Sequence, residues 1–358
     1  MPERSLRVNL VAHGSNIEGQ GVGSAFKELA WLLQDHASAE LDIRRNSRRG
    51  ADINHFSTID PLSWFYLRTS RAPSVMHVHF LPTTIDQIVR LPRPLLRVFR
   101  AYVTQFYRAA DQLVVVNPTA IPGLVELDID PARITYIPNH VSDLNFHPVD
   151  KSSLGDLYAG LGFDPGVFTV LGVGQVHVGK GILDFVEVAR SLPDLQFVWC
   201  GRFALGRFAD SYDQLRQAME EPPPNVRFTG LIPRTELNRW YNLADVLFSP
   251  SYDEGFPMSM LEACNVGLPL LVRELDLYQP ILGDHYLSAK DNHGFSAALR
   301  GLAADPAAGE HWAAESALIA RQYSADVLSR RWIDFYHRVL KAPGSPRSRA
   351  WNGPGRHS

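Results

Sequence analysis

Short apolar segments alternate with segments of helical periodicity along most of the chain. Residues 6–12 (LRVNLVA) have the length and composition of a buried strand, and 112–117 (QLVVVN) is a second such segment, which ends before Pro118. Segments 168–174 and 246–249 repeat the pattern further along. Strands that alternate with helices are typical of βαβ units and a mostly parallel sheet. The sequence therefore predicts an α/β protein.

The alternation is interrupted in a loop-rich stretch, 139–167, where Gly and Pro recur. A chain of 358 residues has the length of about two domains. We therefore predict one doubly wound domain over 1–160 and a second over 161–325, followed by an amphipathic helix over 326–341. The tail 342–358 is rich in Pro, Gly, Ser and Arg and is predicted to be disordered. Two doubly wound domains form a cleft between them, which is a natural small-molecule site.

Composition narrows the classes of function. There are 35 Lys and Arg against 38 Asp and Glu, so the net charge of −3 disfavours a nucleic-acid binder that relies on overall charge. The two cysteines, Cys200 and Cys264, cannot form a disulfide framework, which fits a reducing cytoplasm. No segment has the ~20 apolar residues of a membrane span, and the N-terminus lacks the apolar region of a signal peptide.

The most informative motif is EGFPMSMLEA, in which Glu254 and Glu262 are separated by seven residues. Gly255 and Pro257 mark a turn into a helix whose first N–H groups suit an anion. A nucleotide sugar needs this mixture, because its diphosphate takes backbone donors while its hydroxyls take carboxylate acceptors. An acidic helix cap followed by a surface glutamate would explain the same spacing.

Two glycine-containing loops could approach a phosphate. GVGQVHVGKG places Lys180 at a helix start, where it either reaches a phosphate or is simply solvated. EGQGVGSA follows the first strand, and its Gly21 and Gly23 either let backbone amides approach a diphosphate or form a flexible turn. Neither loop has the GxGxxG spacing of a dinucleotide site, so a nicotinamide-binding protein has little support.

Histidines stand at the end of the strand in VMHVHFLP. His77 and His79 share one face of that strand, so one of them should pack deeper than the other. His79 is the candidate that points towards a ligand, and His55 in INHFSTIDP competes with it. A metal site is weakly supported, because the sequence offers no third ligand nearby.

The segment from Arg90 to Arg108 contains five arginines and no acidic residue. A basic helix with an apolar face is typical of a membrane-surface anchor. The alternative is a core helix with a solvated arginine face, which would bury Leu95, Leu96, Phe99, Val103 and Phe106. The proposed membrane-binding residues are Arg90, Arg93, Arg97 and Arg100.

Taken with GLPLL behind it, IPNHV and GKG, the motif EGFPMSMLEA resembles the EX7E region of the retaining glycosyltransferases of family 4 (GT4). The resemblance extends over nearly the whole chain. It implies the GT-B fold, an α/β architecture of two Rossmann-like, doubly wound domains that face each other across a cleft. The final helix would return to the N-terminal domain, which binds the acceptor. No metal ion or cofactor would be needed.

The resemblance also implies roles for individual residues. Glu254 would lie against the donor sugar and Glu262 would bind the ribose, while His79 would contact the transferred sugar. Members of the family usually carry an Arg as well as a Lys in the diphosphate loop, but Gln175 occupies that position here, so Arg202 is a possible substitute beside Lys180. The implied catalytic residues are His79 and Glu254. The implied nucleotide-sugar-binding residues are Gly21, Gly23, Lys180, Arg202, Gly255, Phe256 and Glu262.

HVHFLPTTIDQIVRLP together with GKGILDFVEVARSLPDLQFVWCGRF is similar to the monoglucosyldiacylglycerol synthase branch of GT4. This similarity implies transfer of glucose from UDP-glucose to diacylglycerol, with retention, by a cytoplasmic protein bound to the anionic inner face of the cell membrane. Three alternatives stay open at this stage: a soluble sugar acceptor, another lipid acceptor, and a non-catalytic or NAD-binding protein.

Overall fold

The chain forms two compact units, each built on its own parallel sheet. The first unit contains residues from 1–16, 26–139 and 325–358, and the second contains residues from 17–25 and 140–324. The structure, a computed structural model, describes residues 5–13, 21–47, 50–84, 92–203 and 212–341. Arg90 and the predicted disordered tail lie outside these ranges.

The sheet of the first unit has six strands in the order β2-β1-β3-β4-β5-β6, and all of its neighbouring strands are parallel. Its strands are β1 (Leu6–Val11), β2 (Leu41–Arg45), β3 (Ile53–Phe56), β4 (Ser74–Val78), β5 (Gln112–Val115) and β6 (Ile134–Tyr136). The central strands are nearly completely buried, as parallel strands covered by helices on both faces must be.

In the described ranges, four helices are interspersed with these strands: α1 (Gly21–His36), α2 (Pro61–Thr69), α3 (Arg93–Ala109) and α4 (Ala120–Val125). The Asp60 carboxylate caps α2 by accepting a hydrogen bond from the Ser63 N–H, and Pro61 occupies the first helical position. The α3 helix packs on the core through Val103, Phe106 and Tyr107.

The sheet of the second unit also has six parallel strands, in the order β12-β11-β10-β7-β8-β9. Its strands are β7 (Thr169–Val173), β8 (Gln196–Cys200), β9 (Val226–Gly230), β10 (Val246–Ser249), β11 (Leu270–Arg273) and β12 (Leu287–Ala289). The helices of this unit are α5 (Gly155–Leu161), α6 (Ile182–Ser191), α7 (Tyr212–Glu220), α8 (Arg234–Leu243), α9 (Met258–Val266), α10 (Gln279–Leu282), α11 (Asn292–Ala304) and α12 (Pro306–Gln322). Each unit is therefore the doubly wound α/β structure that the sequence predicts.

The change of unit follows residue 139, and the predicted boundary at 160 lies inside the second unit. The reason is that the loop-rich stretch docks on α8 and its C-terminal end. The Tyr158 hydroxyl donates to the Leu243 carbonyl (2.9 Å), and Lys151 Nζ pairs with Asp245 (2.6 Å). Gly and Pro interrupt the helical pattern in this stretch but do not mark the edge of a core.

The last helix, α13 (Ala325–Lys341), belongs to the first unit. Trp332 and Tyr336 are buried, and the Tyr336 hydroxyl is hydrogen-bonded to His55 Nδ1 (2.8 Å). No helix in the described ranges is both long enough and apolar enough to cross a membrane.

Candidate functional site

The strand order of the second unit reverses between β7 and β10, which are direct neighbours. From β7 the chain proceeds to β8 on one side, and from β10 it proceeds to β11 on the other. In doubly wound sheets the crevice beyond the carboxyl ends of such a strand pair is where ligands bind. The loops that leave β7 and β10 carry Lys180 and Glu254 respectively, so two of the predicted site residues stand at this position.

Lys180 and Glu254 form an ion pair between Nζ and Oε1. Both side chains are largely buried, with 20% of Lys180 and 8% of Glu254 exposed. Because water has little access to these charges, each charge is compensated by the other. The pair brings together a cation that can neutralise a phosphate and a carboxylate that can accept from sugar hydroxyls.

Backbone contacts join the same two loops. The Tyr252 N–H donates to the Gly179 carbonyl (2.8 Å). Gly181 has φ +69°, and a Cβ atom at this position would lie 2.3 Å from the Pro250 carbonyl oxygen. Position 181 therefore requires glycine both for its left-handed backbone and for the close approach of Pro250.

Glu262 lies in α9 and is buried. Arg234 Nη1 pairs with its Oε1, and the Tyr241 hydroxyl donates to its Oε2 (2.6 Å). Burial, followed by the adjacent Glu262 carboxylate, raises the pKa of Tyr241 well above its ordinary value. Glu262 is thus not a surface glutamate. Its carboxylate is fixed in orientation, and each oxygen keeps further lone-pair capacity for a ligand hydroxyl.

The other predicted donor-binding residues are less closely associated with the Lys180–Glu254 ion pair. Phe256 is buried and packs edge-on against Tyr323, with ring centroids 5.7 Å apart, whereas Gly255 beside it is exposed. The Arg202 side chain is exposed and makes no hydrogen bond or ion pair with the residues that the structure describes. Gly21 begins α1, and Gly23 is buried in its first turn.

His79 follows β4 in the first unit. Its imidazole is the outermost of three stacked histidine rings, those of His79, His77 and His55. Its ring lies parallel to that of His77 (4.6 Å, 7°), which in turn lies parallel to that of His55 (5.3 Å, 14°). His77 is the deeper of the β4 pair, and within the described ranges neither of its ring nitrogens has a hydrogen-bond partner. The Trp332 ring of α13 packs against the His55 ring at a tilt of 36°, with centroids 5.2 Å apart.

Burial keeps these rings neutral. It lowers the pKa of His79 to about 4 and that of His55 to about 3, and it lowers the pKa of His77 well below 6.5. Among the described residues no group of three or more His, Cys, Asp or Glu side chains is arranged to hold a metal ion.

Three contacts of the site come from residues that the sequence analysis did not single out: Arg234, Tyr241 and Arg273. Arg234 and Tyr241 are seven residues apart in α8, and this two-turn spacing places them on one helix face. That spacing was a signal for a shared partner, but it does not identify Glu262. Arg273 lies at the end of β11, two residues after GLPLL, and this position does not identify its partners.

Two family models match the chain, "Glycosyltransferase Family 4" over residues 6–143 and "Glycosyl transferases group 1" over residues 159–317. The chain is 36% identical over 341 residues to alpha-galactosylglucosyldiacylglycerol synthase of Streptococcus pneumoniae, an alignment that covers 94% of this chain and 91% of that protein. The chain belongs to glycosyltransferase family 4. The family and the glycosyltransferase activity expected from the EX7E resemblance are therefore confirmed, and the nicotinamide-binding alternative loses its basis.

Two further comparisons extend this result. The processive diacylglycerol alpha-glucosyltransferase of Acholeplasma laidlawii is 25% identical over 228 residues, which cover 63% of this chain and 67% of that protein. The structure of HepE from Anabaena in complex with UDP-glucose superposes with a TM-score of 0.73 at 13% identity, covering 93% of this chain and 100% of that one. The predicted GT-B fold is confirmed.

The histidine stack predicts a loss of stability in acid. An unfolded histidine takes up a proton near pH 6.5, whereas folded His79 does so only at about 4, so stability present above pH 6.5 is lost as the pH falls. One such group lowers the free energy of unfolding by roughly 2 kcal/mol as the pH falls from 6.5 to 5. Urea unfolding at pH 7.5 and 5.0, followed by tryptophan fluorescence, measures this loss.

The His77→Phe variant should be less sensitive to acid than the parent, because a buried phenyl ring cannot be protonated. The control is His293→Gln, which replaces an exposed histidine on α11 and should leave the pH dependence unchanged. Equal pH dependence for His77→Phe and the parent would contradict the assignment of the acid sensitivity to the stack.

Proposed function

We propose that the protein transfers a hexose from a UDP-sugar, with UDP-glucose as the expected donor, to a diacylglycerol-based lipid with retention of configuration. The observation that carries the proposal is the 36% identity over 94% of the chain to an enzyme named for galactosylglucosyldiacylglycerol synthesis. The Acholeplasma laidlawii relative, named as a diacylglycerol glucosyltransferase, supports the same acceptor class. The UDP-glucose bound to HepE, which shares the fold, supports the donor class.

The donor would bind at the carboxyl ends of β7 and β10. Lys180 would neutralise the diphosphate, and Glu254 would contact the transferring sugar. Glu262, held by Arg234 and Tyr241, would accept from the ribose hydroxyls, which requires an ionised carboxylate of fixed orientation. Gly21, Gly23, Arg202, Gly255 and Phe256 are proposed as further donor contacts, and His79 is proposed to contact the sugar.

The chemistry needs little from the protein except electrostatic stabilisation. In a front-face transfer the bond between the anomeric carbon and the diphosphate oxygen breaks while the acceptor hydroxyl attacks from the same side. The departing diphosphate takes the proton of that hydroxyl, so no separate general base is required. Lys180 would stabilise the charge that develops on the leaving group, and Glu254 would stabilise the positive charge on the sugar.

The N-terminal half of α3 is proposed to bind the membrane. Arg93 and Arg97 are exposed there, and the helix contains no acidic residue. Of the residues that the core interpretation would bury, Val103 and Phe106 are buried, Leu96 and Phe99 are half-buried against the core, and Leu95 is exposed. Four apolar side chains on α3 and the adjacent α2 are between 55 and 68% exposed: Leu62, Phe65, Leu95 and Val98.

The two helices present these side chains from one packed pair, since Trp64 of α2 contacts Tyr102 of α3 with ring centroids 6.0 Å apart. Apolar side chains bordered by arginines fit the interface of an anionic bilayer. A peripheral location on the cytoplasmic face of the cell membrane follows from the proposal.

A second donor and acceptor pair is favoured by the name of the Streptococcus pneumoniae relative. That enzyme is an alpha-galactosylglucosyldiacylglycerol synthase, so galactose and a glucosylated diacylglycerol are the competing substrates. Hexoses that differ at one hydroxyl are discriminated by a few hydrogen bonds, so the two donors have to be compared directly.

The deciding experiment supplies either UDP-[14C]glucose or UDP-[14C]galactose together with diacylglycerol, glucosyldiacylglycerol or a soluble inositol phosphate. We expect label in the chloroform phase with a lipid acceptor, and none with Glu254→Ala, because this variant lacks the carboxylate that faces the sugar. Circular dichroism must show that the variant is folded. Label only in water-soluble products would refute the lipid acceptor, and turnover by Glu254→Ala near the parent rate would remove Glu254 from the site.

Glu262→Gln should raise the KM for the nucleotide sugar with a smaller effect on kcat. The amide keeps the shape of the side chain but loses the charge, and ribose contacts are present equally in the ground and transition states. Initial rates at varied donor concentration separate the two constants. A fall in kcat at unchanged KM would contradict the ribose assignment.

Arg93→Gln combined with Arg97→Gln should weaken binding to anionic vesicles by about 2 kcal/mol, about 1 per arginine, and should affect neutral vesicles little. Arg100 is left in place, because it is half-buried and its Nη2 lies 3.4 Å from the Thr83 carbonyl oxygen. The matched control replaces Arg330 and Arg331, which are exposed on α13 in the same unit, by Gln. Equal loss in both double variants would show that only total charge matters.

A further inference from the structure

Arg273 is the only buried lysine or arginine in the described part of the chain. Its three nitrogens all contact protein groups: Nε donates to the Pro250 carbonyl (3.0 Å), Nη1 donates to the Lys290 carbonyl (3.0 Å) and Nη2 pairs with Asp184 (2.9 Å). The guanidinium also lies over the Tyr252 ring, 4.0 Å from its centroid. Burying a cation is energetically costly unless it is paired. These partners therefore compensate the buried charge of Arg273.

Two partners of Arg273, Pro250 and Asp184, lie close in sequence to the proposed donor contacts. Pro250 follows β10 and precedes Glu254 by four residues. Asp184 lies in the first turn of α6, and this helix begins directly after Lys180 and Gly181. Because β11, β10 and β7 are neighbours in the sheet, an arginine at the end of β11 can reach across β10 to the helix that follows β7.

The Pro250 carbonyl is the point where these contacts meet. It accepts from Arg273 Nε and also lies against Gly181, where a Cβ atom would come within 2.3 Å of its oxygen. A shift of Pro250 would therefore move the start of α6 and, with it, Lys180. Arg273 holds both sides of this contact at once, since it binds Pro250 and Asp184 through different nitrogens.

We propose that Arg273 is a positioning residue that sets the distance and orientation between Lys180 and Glu254, and thereby the affinity for the nucleoside diphosphate. The inference rests on the proposed function of these two side chains. Arg273 does not contact the donor in this proposal, because all three of its nitrogens bind the protein. A planar fork with three fixed directions is required, and the ammonium group of a lysine cannot supply it.

A double-mutant cycle on the dissociation constant of UDP, measured by calorimetry, tests the proposal. Arg273→Gln should weaken UDP binding about tenfold in the parent protein, but less than about twofold in a Lys180→Ala background, because the side chain that it positions is then absent. Equal fold changes in the two backgrounds would mean a general structural effect and would overturn the inference.

Arg227→Gln is the matched control. Arg227 lies on β9 in the same unit, and its guanidinium also binds backbone carbonyls, those of Leu161 (3.0 Å) and Pro224 (2.7 Å) among them. Its replacement should lower the free energy of unfolding without changing UDP affinity. A loss of UDP affinity equal to that of Arg273→Gln would show that any lost guanidinium of this kind is sufficient, and would overturn the proposal.

If Arg273→Gln does not fold, Asp184→Asn serves in its place, since it keeps the arginine and weakens one of its contacts. A smaller loss of UDP affinity that disappears in the Lys180→Ala background supports the proposal, and unchanged affinity refutes it. The outcomes also distinguish a failure of the proposed function from a failure of the proposed role of Arg273. Failure of the parent protein to bind UDP would refute the proposed function, whereas normal UDP binding by a folded Arg273→Gln variant would refute only the role of Arg273.

Discussion

Parallel strand pairing is the constraint on which the rest of this structure depends. When all strands of a sheet run in one direction, their carboxyl ends meet at one edge, and the loops that leave them become neighbours whatever their separation in sequence. Residues 180, 254 and 273 come together in this way, although more than 90 positions separate the first from the last. The same geometry places His79 at the end of a central strand in the other unit.

Charge compensation is the second principle of the site. Glu254, Glu262 and Asp184 are withdrawn from water, and each has a basic partner, respectively Lys180, Arg234 and Arg273. A single uncompensated carboxylate at any of these positions would be costly, so the partners stabilise the fold as well as arranging the site. The histidine stack follows the opposite rule, because its rings avoid the cost of burial by remaining neutral.

Most of the fold could be predicted from the sequence, because buried parallel strands are short apolar segments that stand out between amphipathic helices. Lys180, Glu254 and Glu262 were proposed as site residues because they lie in compact motifs. Arg234 and Arg273 were not singled out, since the partners that give each arginine its role are distant in sequence. The α3 helix shows a related limit, because one amphipathic pattern includes apolar side chains that are exposed near its N-terminus and others that are buried near its C-terminus.

The return of α13 to the first unit has a consequence for synthesis on the ribosome. The ring of Trp332 and the hydroxyl of Tyr336, which complete the packing around His55, are among the last parts of the described chain to be made. At about 5–20 residues per second, the residues between 139 and 341 take roughly 10–40 s to translate. Throughout that interval the nascent first unit exposes the apolar face that α13 will cover, while the second unit, whose strands all lie between residues 169 and 289, has its sheet complete before α13 emerges. The unit that begins the chain is thus the later of the two to be finished.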